Sequence, residues 1–397
     1  MNVKRLTSSV AAMALSVSAF ASNELEGTFN VYKNAKLSGE LRLGYINQNA
    51  GDSSVDAHNI ASGGHIKLET GKIAGVSAGA AVYTTHRLAK NSAQDADTAL
   101  FNQADGNSYT LLGQAYLKAQ INNTTFVAGR QQIDTPFADS DDIRMIPNLF
   151  EAYVVTNTDI KDTTLIAAQV QKWAGVDAPT QDRFEDLHGA GEGTTLLALI
   201  YSGMKDSEFS AWYYNVNELT KLFYLEGSSE YPLSDNFLLS LGAQYGNFSE
   251  ERSSAVDGSF YGLSVDLGLK SFGMNFMAAY NSTSNDNGKA VINGFGGGPY
   301  LTSMDEMTID GLNDAKAYMI GFSKGYGDFG FSYSYGNFQE DSSKTEVDEH
   351  NFVAEYSYSD ALNFLFMYTD FQAKTATGLD DKAGSFDRVQ FYTYYNF

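Results

Sequence analysis

Cysteine is absent from the 397 residues, so a secreted mini-domain held by a disulfide framework is excluded, and so is a lipid-modified cysteine anchor. Long apolar runs are nearly absent too. Beyond residues 10–20, nothing approaches the ~20 continuous apolar residues that a transmembrane helix needs. Cations are few: 26 Lys and Arg stand against 48 Asp and Glu, a formal charge of −22. Nucleic-acid binding needs the opposite sign and is discarded. Five prolines and no composition shift leave no linker on which to divide the chain. The five histidines (58, 65, 86, 188 and 350) form no pair with metal-ligand spacing. Gly51-Asp52-Ser53 lies in a polar loop without the strand–turn–helix setting of a nucleophile, and no phosphate-binding or dinucleotide fingerprint occurs. The sequence therefore points to no enzyme, no metal centre and no cofactor.

What is present is glycine and aromatics: 37 Gly, 25 Tyr and 26 Phe, a composition suited to pleated surfaces and tight turns. The N-terminal stretch carries Lys4 and Arg5, an apolar run and Ala19-Phe20-Ala21. That pattern is a secretory signal peptide over residues 1–21, cleaved after Ala21, which leaves residues 22–397 as one domain. Residues 388–397, RVQFYTYYNF, alternate with period two. Val389, Phe391, Thr393 and Tyr395 make one face, and Arg388 to Asn396 the wetter one. A last strand that ends on a bare Phe397 suits a transmembrane barrel, in which the last strand closes on the first.

Similar alternating segments recur from Lys36 onward, about 18 in all, an even number as bacterial barrels require. Their connections alternate long and short. Short ones include Asn122-Asn123 and Ser359-Asp360; long polar ones fall at 48–59, 86–107, 134–147, 174–192, 283–313 and 372–385. Short periplasmic turns with long external loops mark an outer-membrane barrel, whereas a soluble sandwich has no reason to sort loops by parity. The faces agree. Tyr261, Leu263, Val265 and Leu267 oppose Gly262, Ser264 and Asp266, so the oily face meets lipid and the small or charged one meets water. The fold class is an all-β, transmembrane, antiparallel up-and-down β-barrel. By the same alternation Arg42, Lys67, Lys118, Arg130 and Arg388 point inward along one wall, with Asp266, Glu226 and Glu355 expected opposite. The acids of the long loops, Asp139, Asp141, Asp142, Asp380 and Asp381 among them, make either a solvated face or contacts to divalent cations among lipopolysaccharide head groups.

Three stretches carry a resemblance: GGHIKLETG at 63–71, GRQQIDTPFADSDDIRMIPNLFEA at 129–152, and GGGPYLTS at 296–303. They resemble the OprD-type family of substrate-selective outer-membrane porins. The resemblance implies a channel narrowed by its third external loop and a basic ladder guiding carboxylate-bearing solutes. Carried to this sequence, it puts Asp141, Asp142, Arg144 and Pro147 in the constriction loop, with Arg130 at the upper end of the fifth strand. It also makes Phe397, with Tyr395 beside it, an assembly signal for the β-barrel assembly machinery. The function implied is passive diffusion of small hydrophilic solutes such as carboxylates or amino acids, by a monomer or homotrimer in lipid and lipopolysaccharide. The rivals are a non-selective diffusion porin or adhesin and a secreted soluble all-β binding protein.

Overall fold

The computed structural model describes residues 34–50, 56–90, 98–188, 192–252, 254–285, 289–374 and 384–397. The leader 1–21, Gly51-Asp52-Ser53 and the pair Asp380, Asp381 lie outside these residues. The first wall strands are β1 (Lys36–Ala50), β2 (Ala57–Glu69), β3 (Val76–Lys90), β4 (Tyr109–Ile121), β5 (Thr124–Gln131), β6 (Leu149–Asn157) and β7 (Thr163–Ala174). After a two-residue β8 (Glu185–Asp186) come β9 (Thr194–Tyr201), β10 (Ser207–Val216), β11 (Thr220–Pro232), β12 (Phe237–Glu250) and β13 (Gly258–Leu269). The last are β14 (Met274–Ser284), β15 (Ala315–Tyr326), β16 (Phe329–Glu340), β17 (Glu346–Ser357), β18 (Leu362–Lys374) and β19 (Phe386–Asn396).

Each wall strand pairs antiparallel with its neighbours, and β8 only extends the upper end of β7, so the wall is a closed ring of 18 strands. Closure is the pairing of β19 with β1, from Glu40↔Asn396 to Ala50↔Phe386. Gly39 and Phe397 extend it by exchanging both backbone hydrogen bonds at 3.0 Å. A side chain at Gly39 would meet the Phe397 ring at 2.6 Å, so the absence of a Cβ there seats the last residue. With no free edge, the strands' backbone groups find their partners on neighbouring strands of the wall, as a membrane requires.

The turns at one end are short. Asn122-Asn123 joins β4 to β5 in two residues, with Asn122 left-handed at φ 50°, a conformation Asn tolerates well. The other end, which we call external, carries the long connections 91–108, 132–148, 175–193 and 285–314. Outward positions are apolar and exposed, for example Leu41, Leu117, Leu263, Phe331 and Tyr395. Such a surface is costly in water and favourable against hydrocarbon.

Candidate functional site: a lumen crossed by two loops

The inward face of β1 carries Glu40, Arg42, Gly44 and Ile46, since Leu41 and Leu43 are exposed outward. Register then fixes the neighbours. Lys67 on β2 and Lys118 on β4 share the lumen with Tyr116, over whose ring the Lys67 ammonium sits at 5.4 Å. Arg388 on β19 lies opposite Gln48 of β1 and donates to it at 2.9 Å. Four of the five expected wall cations therefore face inward.

Arg130 does not. It pairs with Ala115 on β4 and Glu151 on β6, on the face that continues to Leu117, Phe126 and Tyr153, all exposed outward. Its guanidinium meets Glu151 at 3.3 Å and covers the Phe184 ring at 4.4 Å, on the outer rim of the barrel. The alternation in β5 was ambiguous because Phe126 and Val127 are adjacent and both apolar. Glu355 is a second correction. It points into the lumen on β17, but β17 stands two strands from β19, beside the cations and not across from them. Glu226 on β11 and Asp266 on β13 do lie half the ring away, opposite β1 and β3. Glu226 accepts from Tyr224 at 3.2 Å, and Asp266 from Asn275 at 3.3 Å.

The third external connection, residues 132–148 (L3), enters the barrel and touches both of its sides. On one side Phe137 inserts among Tyr214, Tyr224 and Phe248, with ring centroids 5.7, 5.4 and 5.6 Å away. These are inward residues of β10, β11 and β12, so the loop is anchored by an aromatic cluster. On the other side Asp142 meets Arg42 at 2.8 Å, Arg42 also donates to the Arg144 carbonyl, and Met145 rests on Gly44. Pro147 is buried where the loop returns, next to Gly175, and Asn148 then ties the return to Asp177 at 2.7 Å.

The seventh connection, residues 285–314 (L7), does the same. Ala138 of L3 and Phe295 of L7 form a parallel bridge, with Asp139 N–H donating to Phe295 O at 3.1 Å and Phe295 N–H to Phe137 O at 3.0 Å. Gly296, at φ 89°, sits so close to Asp139 and Asn148 that a Cβ would lie 2.2 Å from an Asn148 atom. Beyond it Gln244 of β12 donates to Pro299 O at 2.8 Å, and Thr302 donates to Asn281 of β14. The loop ends its crossing at Arg388, which meets Glu306 at 2.5 Å and Asp305 at 3.7 Å.

The two loops bring Arg42, Arg144 and Arg388 together around Tyr392 at the seam of the barrel. Arg42 is matched by Asp142 and by Glu40 at 2.7 Å, and Arg388 by Glu306 and Asp305. Arg144 differs. It is 8% exposed, makes no ion pair among the described residues, and its one side-chain hydrogen bond there runs to Ile143 O at 3.4 Å. Burial works against its charge, yet Tyr392 and the carboxylates of Asp305, Glu306 and Asp141 hold the guanidinium above its ordinary pKa. Nearby in L3, burial pushes the Asp139 carboxyl up to about 6, with Asp134 and Asp177 adding to it. Asp141 is raised by burial and by Asp177 beside it.

A family model described as outer membrane porin, OprD family, matches residues 31–361. The chain belongs to the OprD family of outer-membrane porins. Solved porins share its fold. OpdK of Pseudomonas aeruginosa, solved with vanillate, superposes with a TM-score of 0.79 at 15% identity, covering 92% of this chain and 99% of that one. A BenF-like porin from Pseudomonas fluorescens Pf-5 gives 0.79 at 16%, again over 92% and 99%. OccAB2 of Acinetobacter baumannii gives 0.78 at 16%, over 94% and 99%. Among curated proteins none matches.

In this OprD-family porin the second crossing is made by L7, a segment whose length and polarity alone predict an external loop. L7 was expected to be an external polar loop. Its signal was there to read: Val291, Phe295, Tyr300, Leu301 and Ile309 are too apolar for a loop in water, and all five are buried inside the barrel. The same holds for Phe137, Met145 and Ile146 of L3.

Proposed function

We propose that this porin passes small solutes that carry a carboxylate, amino-acid-like zwitterions among them, by passive diffusion through the gap that L3 and L7 leave. The observation that carries the reading is Arg144, a buried guanidinium on the loop that crosses the lumen, which makes no ion pair among the described residues. A desolvated cation of this kind gains most from a bidentate anion, and a solute carboxylate has that shape. Glu226 and Asp266 on the opposite wall accept an ammonium group, so a zwitterion is drawn from both ends. The neighbour OpdK was solved with vanillate, itself a carboxylate, which supports the same solute class. Export by the leader 1–21, recognition of Phe397 and Tyr395 by the assembly machinery, and a monomeric or trimeric state complete the proposal.

Arg144→Gln removes the charge and leaves a polar side chain. In planar bilayers the wild-type current is expected to be blocked saturably by a small carboxylate, and the variant to need about tenfold more of it, the factor for ~1.4 kcal/mol at a charge-assisted hydrogen bond. Equal block in both proteins overturns the role. A second reading, a non-selective pore, is favoured by the pairing of Arg42 and Arg388, which leaves little free positive charge. It predicts no saturation with any solute.

A further inference from the structure

We infer that Glu349, with Asn351 beside it, is the positioning residue that sets this channel's charge preference, because it fastens L7 where Asp305 and Glu306 cover Arg388. The inference deepens the selective-porin reading, and its test uses no organic solute. Glu349 and Asn351 are inward residues of β17, and Glu349 is 0% exposed. The two Glu349 oxygens accept the successive N–H groups of Glu306 at 3.1 Å and Met307 at 2.8 Å. Asn351 accepts the N–H before them, that of Asp305, at 3.1 Å, and donates to Glu349 at 2.8 Å. Three consecutive L7 amides thus end on two wall side chains. L7 has no strand or helix here to satisfy them, and a buried amide left unpaired is costly.

The consequence falls on Arg388. Once its backbone is held, Asp305 receives Thr369 at 2.7 Å and Gln390 at 2.9 Å, and Glu306 reaches Arg388. The clamp has no cation of its own among the described residues, so its effect passes through the loop it holds. Releasing L7 withdraws two carboxylates from the seam and leaves Arg388 facing the lumen as a free cation.

The test is the reversal potential in a KCl gradient, measured on single channels of Glu349→Gln and Asn351→Leu, each also made in an Arg388→Gln background. Asn351→Leu alters no charge, and it carries the test if Glu349→Gln does not assemble; heat-modifiable mobility on gels reports the folded barrel. Both variants should raise the chloride-to-potassium permeability ratio about threefold to fivefold, what one uncovered charge near ~4 Å is worth in water. Neither should do so once Arg388 is gone. An unchanged reversal potential in the folded variants overturns the inference. So does a shift that survives Arg388→Gln, since that would be the direct effect of lost charge or a widened pore.

Discussion

At the scale of single residues, the cations of the barrel differ in which way they face and in whether a carboxylate already matches them. Arg42 and Arg388 face the lumen but are matched by carboxylates of L3 and L7. Arg144 is buried beside Tyr392 and makes no ion pair among the described residues, and Arg130 faces the rim. These differences make a direct prediction for Arg130. Its contact with Glu151 is partly exposed, a kind of pair worth ~0–1 kcal/mol. Arg130→Ala should therefore leave both the reversal potential and carboxylate block as in the wild type, and a lowered carboxylate affinity would show that the arginine reaches the pore. The facing of Arg42, Lys67, Lys118 and Arg388 was legible in the sequence because their strands alternate cleanly. That of Arg130 was not, since β5 offers two adjacent apolar residues and hence two phases.

At the scale of elements, L3 is a strap held by aromatic packing at one end and by the Asp142–Arg42 ion pair at the other. Its Asp139 sits at the junction with L7, and its carboxyl is raised to about 6 by burial first and by Asp134 and Asp177 after it, against the lowering effect of the Asp141 N–H that it accepts. A raised carboxyl favours the docked loop when protonated. Its contribution is complete below the ordinary value of 3.8 and is lost as pH rises through about 6. Current fluctuations from loop movement should accordingly be fewer at pH 5 than at pH 7.5, and Asp139→Asn should flatten that dependence. Identical noise at the two pH values, or the same dependence in Asp139→Asn, would contradict the strap. The family resemblance makes the third loop the constriction; the structure shows that loop inside the barrel, between Arg42 and the aromatic cluster around Phe137. The place of L7 is not encoded in its length or polarity, because its apolar residues are buried only by contacts with L3 and with distant wall strands.

At the scale of the whole molecule, the barrel was legible almost entirely. Period-two alternation and loops sorted by parity are direct consequences of a wall with lipid outside and water inside, and few other folds share them. The ring closes where Phe397 lies over Gly39, so that contact is open to test. Gly39→Leu, like deletion of Phe397, should lower the amount of heat-modifiable barrel in outer membranes; normal levels of both variants would separate the closing contact from assembly. What the wall pattern does not encode is how its lumen is partitioned, because that depends on contacts between loops far apart in sequence.

We propose that Arg144, buried on L3 with no ion pair among the described residues, selects solutes by their carboxylate. Single-channel current in KCl, with a small amino acid or carboxylate added on the external side and a neutral solute of equal size as control, tests it most directly. Saturable block by the carboxylate alone, weakened in Arg144→Gln, is the result predicted. Equal, unsaturable effects of both solutes in the wild type would contradict it and leave a non-selective pore.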